Sequence, residues 1–214
     1  MAETATPSRW LPRRPWEGVL ADGHFGKADE TGVTVQTREA LGIATLITGE
    51  DSHAALDAAM YEHFRLSLPR TPMAVRSGSR QAVWSGPGQW LLVADSREGF
   101  RGDLAKLAGL AAVSDQSDGR AVLSLSGPRV RDLLAKGAML DLHPAAFPVG
   151  TAASTSIAYL GVTLWRSADS PEGPVFEIMV ARSMAGSFWS WLSASAAEFG
   201  YAVTSRRASS ADRG

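Results

Sequence analysis

The chain has 214 residues, a formal net charge of −1, 45% hydrophobic and 20% charged residues, and no cysteine. That balance is ordinary for a globular protein, and the length allows a sizeable core without covalent staples. It excludes disulfides, thiolate metal sites and cysteine nucleophiles, and it lacks the basic excess with which a nucleic-acid binder displaces counterions.

Residues 1–38 are rich in Pro, Arg, Gly and acidic residues and sustain neither a helical nor a strand period. Trp10 and Trp16 stand out there, because disordered chain is depleted in large aromatics. They predict an extended N-terminal arm whose rings dock, either on the chain's own body or on a partner. No basic segment followed by an apolar stretch stands at the start of the sequence, and the longest strongly apolar run, residues 90–94, is too short to span a bilayer. The expectation is a cytoplasmic chain that meets neither membrane nor nucleic acid.

From Gly42 the pattern becomes regular. Residues 43–47 read as a strand, and Asp51 or Ser52 as the cap of a helix with an apolar stripe at Leu56, Ala59, Met60 and Phe64. Strands follow at 73–76, 82–84 and 90–94, the last two joined by Ser85-Gly86-Pro87-Gly88, which is strong turn chemistry. Phe100, Leu104 and Leu107 mark a second helix. The second half repeats the plan: a strand at 121–125, then a helix opened by Ser126-Gly127-Pro128, lined by Val130, Leu133 and Leu134 and capped by Gly137. Strands at 154–158, 162–165 and 176–180 precede a last helix carrying Phe188, Trp191, Leu192 and Phe199. Leu46 with Leu125, and Trp84 with Trp165, are equivalent landmarks half a chain apart. The expected fold class is α+β, with pseudo-duplicated antiparallel sheets and helices packed on them. The body covers residues 39–203, with repeats at about 39–110 and 111–203, and a flexible tail follows over 204–214.

The common catalytic signatures are missing. There is no glycine-rich dinucleotide fingerprint, no P-loop and no nucleophile elbow. The four histidines are His24, His53, His63 and His143, and no two stand four apart on a helix face as a zinc pair does. Asp115, Asp118 and Arg120 cluster before a strand, where Asp and Ser are turn chemistry. Asp141-Leu142-His143, followed by a proline, reads as a connection rather than a carboxylate–imidazole pair. Pro128 removes an amide from Ser126-Gly127-Pro128-Arg129, which favours helix initiation over an anion site. No catalytic, cofactor-binding or metal residue is therefore expected. Tryptophan is the anomaly, with 7 residues. Trp189 and Trp191 differ by about 200° around a helix axis, so one of them is expected to face outward. Trp is enriched in interface anchors, which makes Trp10, Trp16 and Trp189 the candidate partner interface.

Three segments carry a family resemblance. The first is Arg120-Ala-Val-Leu-Ser-Leu-Ser-Gly-Pro-Arg-Val-Arg-Asp-Leu-Leu-Ala-Lys-Gly137, with Leu140-Asp-Leu-His-Pro144 and Phe147. The others are the Trp–Gly–Pro–Trp pattern of Val83-Trp-Ser-Gly-Pro-Gly-Gln-Trp-Leu-Leu-Val93, and Val180-Ala-Arg-Ser183 leading to Phe188-Trp-Ser-Trp-Leu192. Over roughly residues 40–200 the chain resembles the gamma subunits of heterotetrameric sarcosine oxidases. The resemblance implies a fold related to the folate-binding aminomethyltransferase superfamily, and a complex of alpha, beta, gamma and delta chains. In such a complex alpha and beta carry FAD, FMN, NAD and the tetrahydrofolate site, and delta carries zinc. Sarcosine is oxidatively demethylated to glycine, with tetrahydrofolate and oxygen as acceptors. The resemblance makes this chain a non-catalytic subunit with a structural and assembly role and no cofactor of its own. Two alternatives stand beside it. One is a stand-alone folate-dependent aminomethyltransferase-like one-carbon enzyme, for which the chain is short and no acidic residue stands in a folate-site context. The other is a subunit of a related N-methyl compound demethylase.

Overall fold

The computed structural model describes residues 13–28 and 30–205. Two short strands, β1 (Gly23–Phe25) and β2 (Val33–Arg38), precede a unit whose element order then occurs twice. In the first copy β3 (Gly42–Ile47), α1 (Glu50–Phe64), β4 (Ala74–Ser77), β5 (Arg80–Gly86), β6 (Gln89–Ala94), α2 (Phe100–Ala105) and β7 (Ala112–Asp115) follow one another. In the second copy come β8 (Arg120–Ser126), α3 (Val130–Ala135), β9 (Ala152–Ile157), β10 (Leu160–Ser170), β11 (Gly173–Ala181), α4 (Ala185–Ala196) and β12 (Tyr201–Ser205).

Each copy builds its own sheet in the same spatial order. The five-stranded sheet runs β4-β5-β6-β3-β7, and the seven-stranded sheet, read the same way, runs β9-β10-β11-β8-β2-β12-β1. Two strands are added: β1 pairs with β12 at the edge, and β2 is inserted, pairing antiparallel with β8 and parallel with β12 at the place where β3 and β7 pair directly in the first copy. The α+β class with duplicated sheets agrees with the sequence reading. The arm over 1–38 does not keep its expected form throughout, since residues 33–38 are an interior strand of the larger sheet. Val33, Val35 and Thr37 are buried while Thr34, Gln36 and Arg38 are half-buried, the period of two that a strand imposes. The first copy also continues past residue 110 to Asp115, and β12 extends through Ser205, so the expected tail begins inside a strand.

Alternation along the strands sorts the core into three layers. Along β6, Trp90, Leu92 and Ala94 pack with Leu56, Met60 and Phe64 of α1, while Leu91 and Val93 face the other sheet. Along β8, Ala121, Leu123 and Leu125 meet Leu133 and Leu134 of α3 and Phe188 and Leu192 of α4, while Val122 faces inward between the sheets. The two sheets therefore share one apolar layer, with Ile43, Val83, Trp165 and Met179 at its centre, and each carries helices on its outer side. Trp84 and Trp165 occupy equivalent strands, but on opposite faces: Trp84 lies toward the helices and Trp165 between the sheets.

Local signals were read correctly for α1, whose buried residues are Leu56, Met60 and Phe64. Its N-cap is Gly49, however, with no side-chain cap. Gly137 is not the left-handed helix cap expected of it. A Cβ there would lie 2.6 Å from Trp191 Cζ2 and 3.1 Å from Ala158 N, so the glycine makes room for a ring. No helix of the described residues is long and apolar enough to cross a membrane.

Candidate functional site

The three expected interface tryptophans have different fates. Trp10 lies outside the described residues. Trp16 is 2% exposed in the core between the larger sheet and its helices, and its Nε1 donates to Val122 O at 3.0 Å. It docks on its own body, so it is not an exposed anchor for a partner. Trp189 and Trp191 are both half-buried and flank the buried stripe of α4. Trp189 sits edge-on to Tyr201 with ring centroids 6.1 Å apart, and Trp191 tilts against Phe188 at 5.7 Å and lies over Gly137. Neither points free into solvent, because the larger sheet and the α3 loop reach round both sides of the helix.

The most exposed large apolar side chains stand elsewhere. Tyr159 is 96% exposed and Met139 73% exposed. Tyr159 tips the hairpin between β9 and β10, where Ala158 and Tyr159 both have positive φ, 50° and 65°. Two-residue hairpin loops of that shape normally use Asn-Gly or Asp-Gly, since a Cβ disfavours the left-handed region. The tip is tied down nonetheless. Ala158 N donates to Gly137 O at 3.0 Å, Met139 N to Ser156 O at 3.4 Å, and Ser156 Oγ to Met139 Sδ at 3.4 Å. Trp191 supports this loop from below. No spacing rule marks such a tip in the sequence; Ala-Tyr simply replaces the expected turn residues.

The groups weighed for acid–base chemistry are structural. Asp115 Oδ1 accepts from Ser117 N at 2.9 Å; burial raises its carboxyl, and the hydrogen bonds from Ser117 together with the charges of Arg97 and Arg101 outweigh this to leave it below the ordinary value. Asp118 pairs with Arg97 at 2.8 Å at the surface. His143 Nδ1 accepts from Ala145 N at 3.3 Å, and His143 N donates to Asp141 Oδ1 at 2.8 Å, a turn rather than a dyad. An ionic chain that starts from a buried carboxylate was not foreseen. Glu177, 5% exposed on β11, accepts from Arg38 at 3.0 Å, Arg38 pairs with Asp95 at 2.9 Å, and Asp95 pairs with Arg76. It runs from the larger sheet to the smaller one. Burial pushes the Glu177 carboxyl up, against the opposing pull of Arg38. Among the described residues no three His, Cys, Asp or Glu gather as a metal set.

A concavity lies against the smaller sheet. It is a cleft of about 570 Å³ lined by Gly49, His53, Arg70, Trp84, Pro87 and Trp90 among others. The β5–β6 turn forms one wall and is clasped by Thr48, whose N–H donates to Gly88 O at 3.0 Å. Trp90 Nε1 donates to Pro69 O at 2.7 Å, and the His53 ring lies 5.3 Å from Trp90.

A family model described as sarcosine oxidase, gamma subunit family, matches residues 48–198. The chain belongs to the sarcosine oxidase gamma subunit family. Within that family it is 35% identical over 127 residues to sarcosine oxidase subunit gamma of Arthrobacter sp, covering 58% of this chain and 61% of the relative. The subunit of Corynebacterium sp. strain P-1 is 34% identical over 149 residues, covering 65% and 70%. The alignment thus spans about three fifths of the Arthrobacter relative. A chain of the heterotetrameric sarcosine oxidase from Corynebacterium sp. U-96, solved with pyrrole 2-carboxylate, superposes with a TM-score of 0.72 at 28% identity, over 89% of this chain and 97% of that one. The glycine cleavage system aminomethyltransferase T from Bartonella henselae aligns with a TM-score of 0.55 at 14% identity, over 82% of this chain and 48% of that one. That likeness shows the shared fold of the sarcosine oxidase gamma family and the aminomethyltransferase, and the fold alone.

Proposed function

We propose that the chain is the non-catalytic gamma subunit of a heterotetrameric sarcosine oxidase, with a structural and assembly role. The observation that carries this reading is the superposition on 97% of a chain of such an enzyme, joined to the family match. Its partners are then alpha, beta and delta chains in the cytoplasm. FAD, FMN, NAD, tetrahydrofolate and zinc belong to those partners, and the assembly demethylates sarcosine to glycine with tetrahydrofolate and oxygen as acceptors. The burial of Trp16 argues against an indole-bearing arm as the main anchor. The Tyr159–Met139 tip is the better contact, because a large aromatic and a thioether held out rigidly have the composition of a buried interface core.

Co-expression of the tagged full chain with the chains encoded beside its gene tests the assembly. The expected result is a stoichiometric, flavin-coloured complex with sarcosine-dependent peroxide production, from which the separated chain emerges colourless and inactive. A chain that purifies without partners, or that turns over sarcosine alone, removes the reading.

A further inference from the structure

We propose that the cleft between α1 and the β5–β6 hairpin binds a small carboxylate carried on a flat apolar body, such as an aromatic acid. The proposal rests on this chain's own side chains and does not depend on the subunit reading. The cleft, at about 570 Å³, is of the size small-molecule sites have, roughly 300–1,000 Å³. Its walls include the half-buried indole of Trp84 and the proline of the turn, which present apolar area at little entropic cost, with the buried Trp90 behind them.

Arg70 and Trp84 bring donors to that lining, against one carboxylate, Glu50. Arg70 is exposed, and among the described residues its guanidinium has no carboxylate partner, only a 3.4 Å contact to His53 Nδ1. Arginine only donates, so Nδ1 accepts there, which leaves the proton of the neutral ring on Nε2. That Nε2 is sealed from solvent and has no acceptor among the described residues, so it lies behind the cleft wall and a ligand in the cleft does not reach it. Among the described residues Trp84 Nε1 has no hydrogen bond, whereas Trp90 Nε1 is used by Pro69 O. A ligand that satisfies Arg70 and Trp84 Nε1 brings acceptors in a plane, which a carboxylate does and a guanidinium fork pairs with in bidentate fashion. A cationic amine meets Arg70 and is repelled. An inorganic anion leaves the Trp84 indole uncovered. Glu50, exposed on the rim, is the one opposing charge.

Calorimetric titration of the full chain with benzoate, with benzamide and acetate as controls, tests the site. Saturable one-to-one binding of benzoate is expected, with benzamide and acetate each weaker by about tenfold or more. Arg70→Gln, at an exposed position, weakens benzoate by about tenfold with an unchanged melting temperature, and Glu50→Gln tightens it. Trp84→Leu, which retains an apolar wall, weakens benzoate and leaves acetate unchanged. No saturable benzoate binding below about 20 mM overturns the proposal. Equal affinity in Arg70→Gln overturns it as well, by placing any binding elsewhere.

Discussion

Trp16 and Val122 are 106 positions apart in the sequence and joined by an indole N–H to carbonyl hydrogen bond of 3.0 Å. The bond fastens the segment before β1 onto β8, in the middle of the larger sheet. Trp16→Ala is therefore expected to destabilise the free chain by about 3–5 kcal/mol, the usual cost of emptying a core tryptophan site. Trp16→Phe keeps most of the volume and loses the hydrogen bond, for about 1 kcal/mol. Removing residues 1–38 deletes β2 as well and should prevent folding. Denaturant melts of the three proteins check the order; a truncated chain as stable as the full one contradicts it.

Gly137 and Trp191 make the second test. A methyl at Gly137 meets the indole at 2.6 Å, so Gly137→Ala is expected to cost about 1–3 kcal/mol, the range for overpacking. In a Trp191→Ala background the same change should cost much less. A double-mutant cycle reads the coupling, and additive costs would show that the ring is not the obstacle.

Tyr159 holds a left-handed conformation that costs a side chain about 1–2 kcal/mol. Tyr159→Gly relieves part of that cost, so the free chain should melt no lower, and up to a few degrees higher, than the parent. The same substitution should weaken recovery of the complex with its partner chains. A variant that assembles as tightly as the parent shows that the exposed ring is not a contact.

Glu177 gives a pH dependence with a definite sign. Its carboxyl, raised by burial above the ordinary 4.5, binds more protons in the folded than in the unfolded chain across the interval between the two values. Its contribution to stability therefore falls as pH rises through that interval. Glu177→Gln keeps a hydrogen-bond acceptor for Arg38 and has no charge to desolvate. The stability of this variant relative to the parent should increase from pH 4.5 toward neutrality and then level off. Urea melts across that range check it, and a difference independent of pH shows that the carboxyl is not raised.

Local pattern was enough for the elements whose neighbours lie close in the chain. The stripe at Leu56, Met60 and Phe64, the hairpin at Gly86-Pro87-Gly88 and the alternation through residues 121–125 state their own structure, because helix period, turn chemistry and strand period act over a few residues. From these came the duplicated α+β plan, and the long motifs carried the family. What only the tertiary structure decided is how distant segments share one surface. Val33–Arg38 alternates as a strand does, yet its place between β8 and β12 depends on a parallel partner that follows about 170 residues later. The burial of Trp16, the ring beneath Gly137, the Arg38–Glu177 pair and the cleft shared by His53, Arg70 and Trp84 have the same origin. Each joins side chains whose separation along the chain bears no fixed relation to their separation in space, and only tertiary packing brings them together.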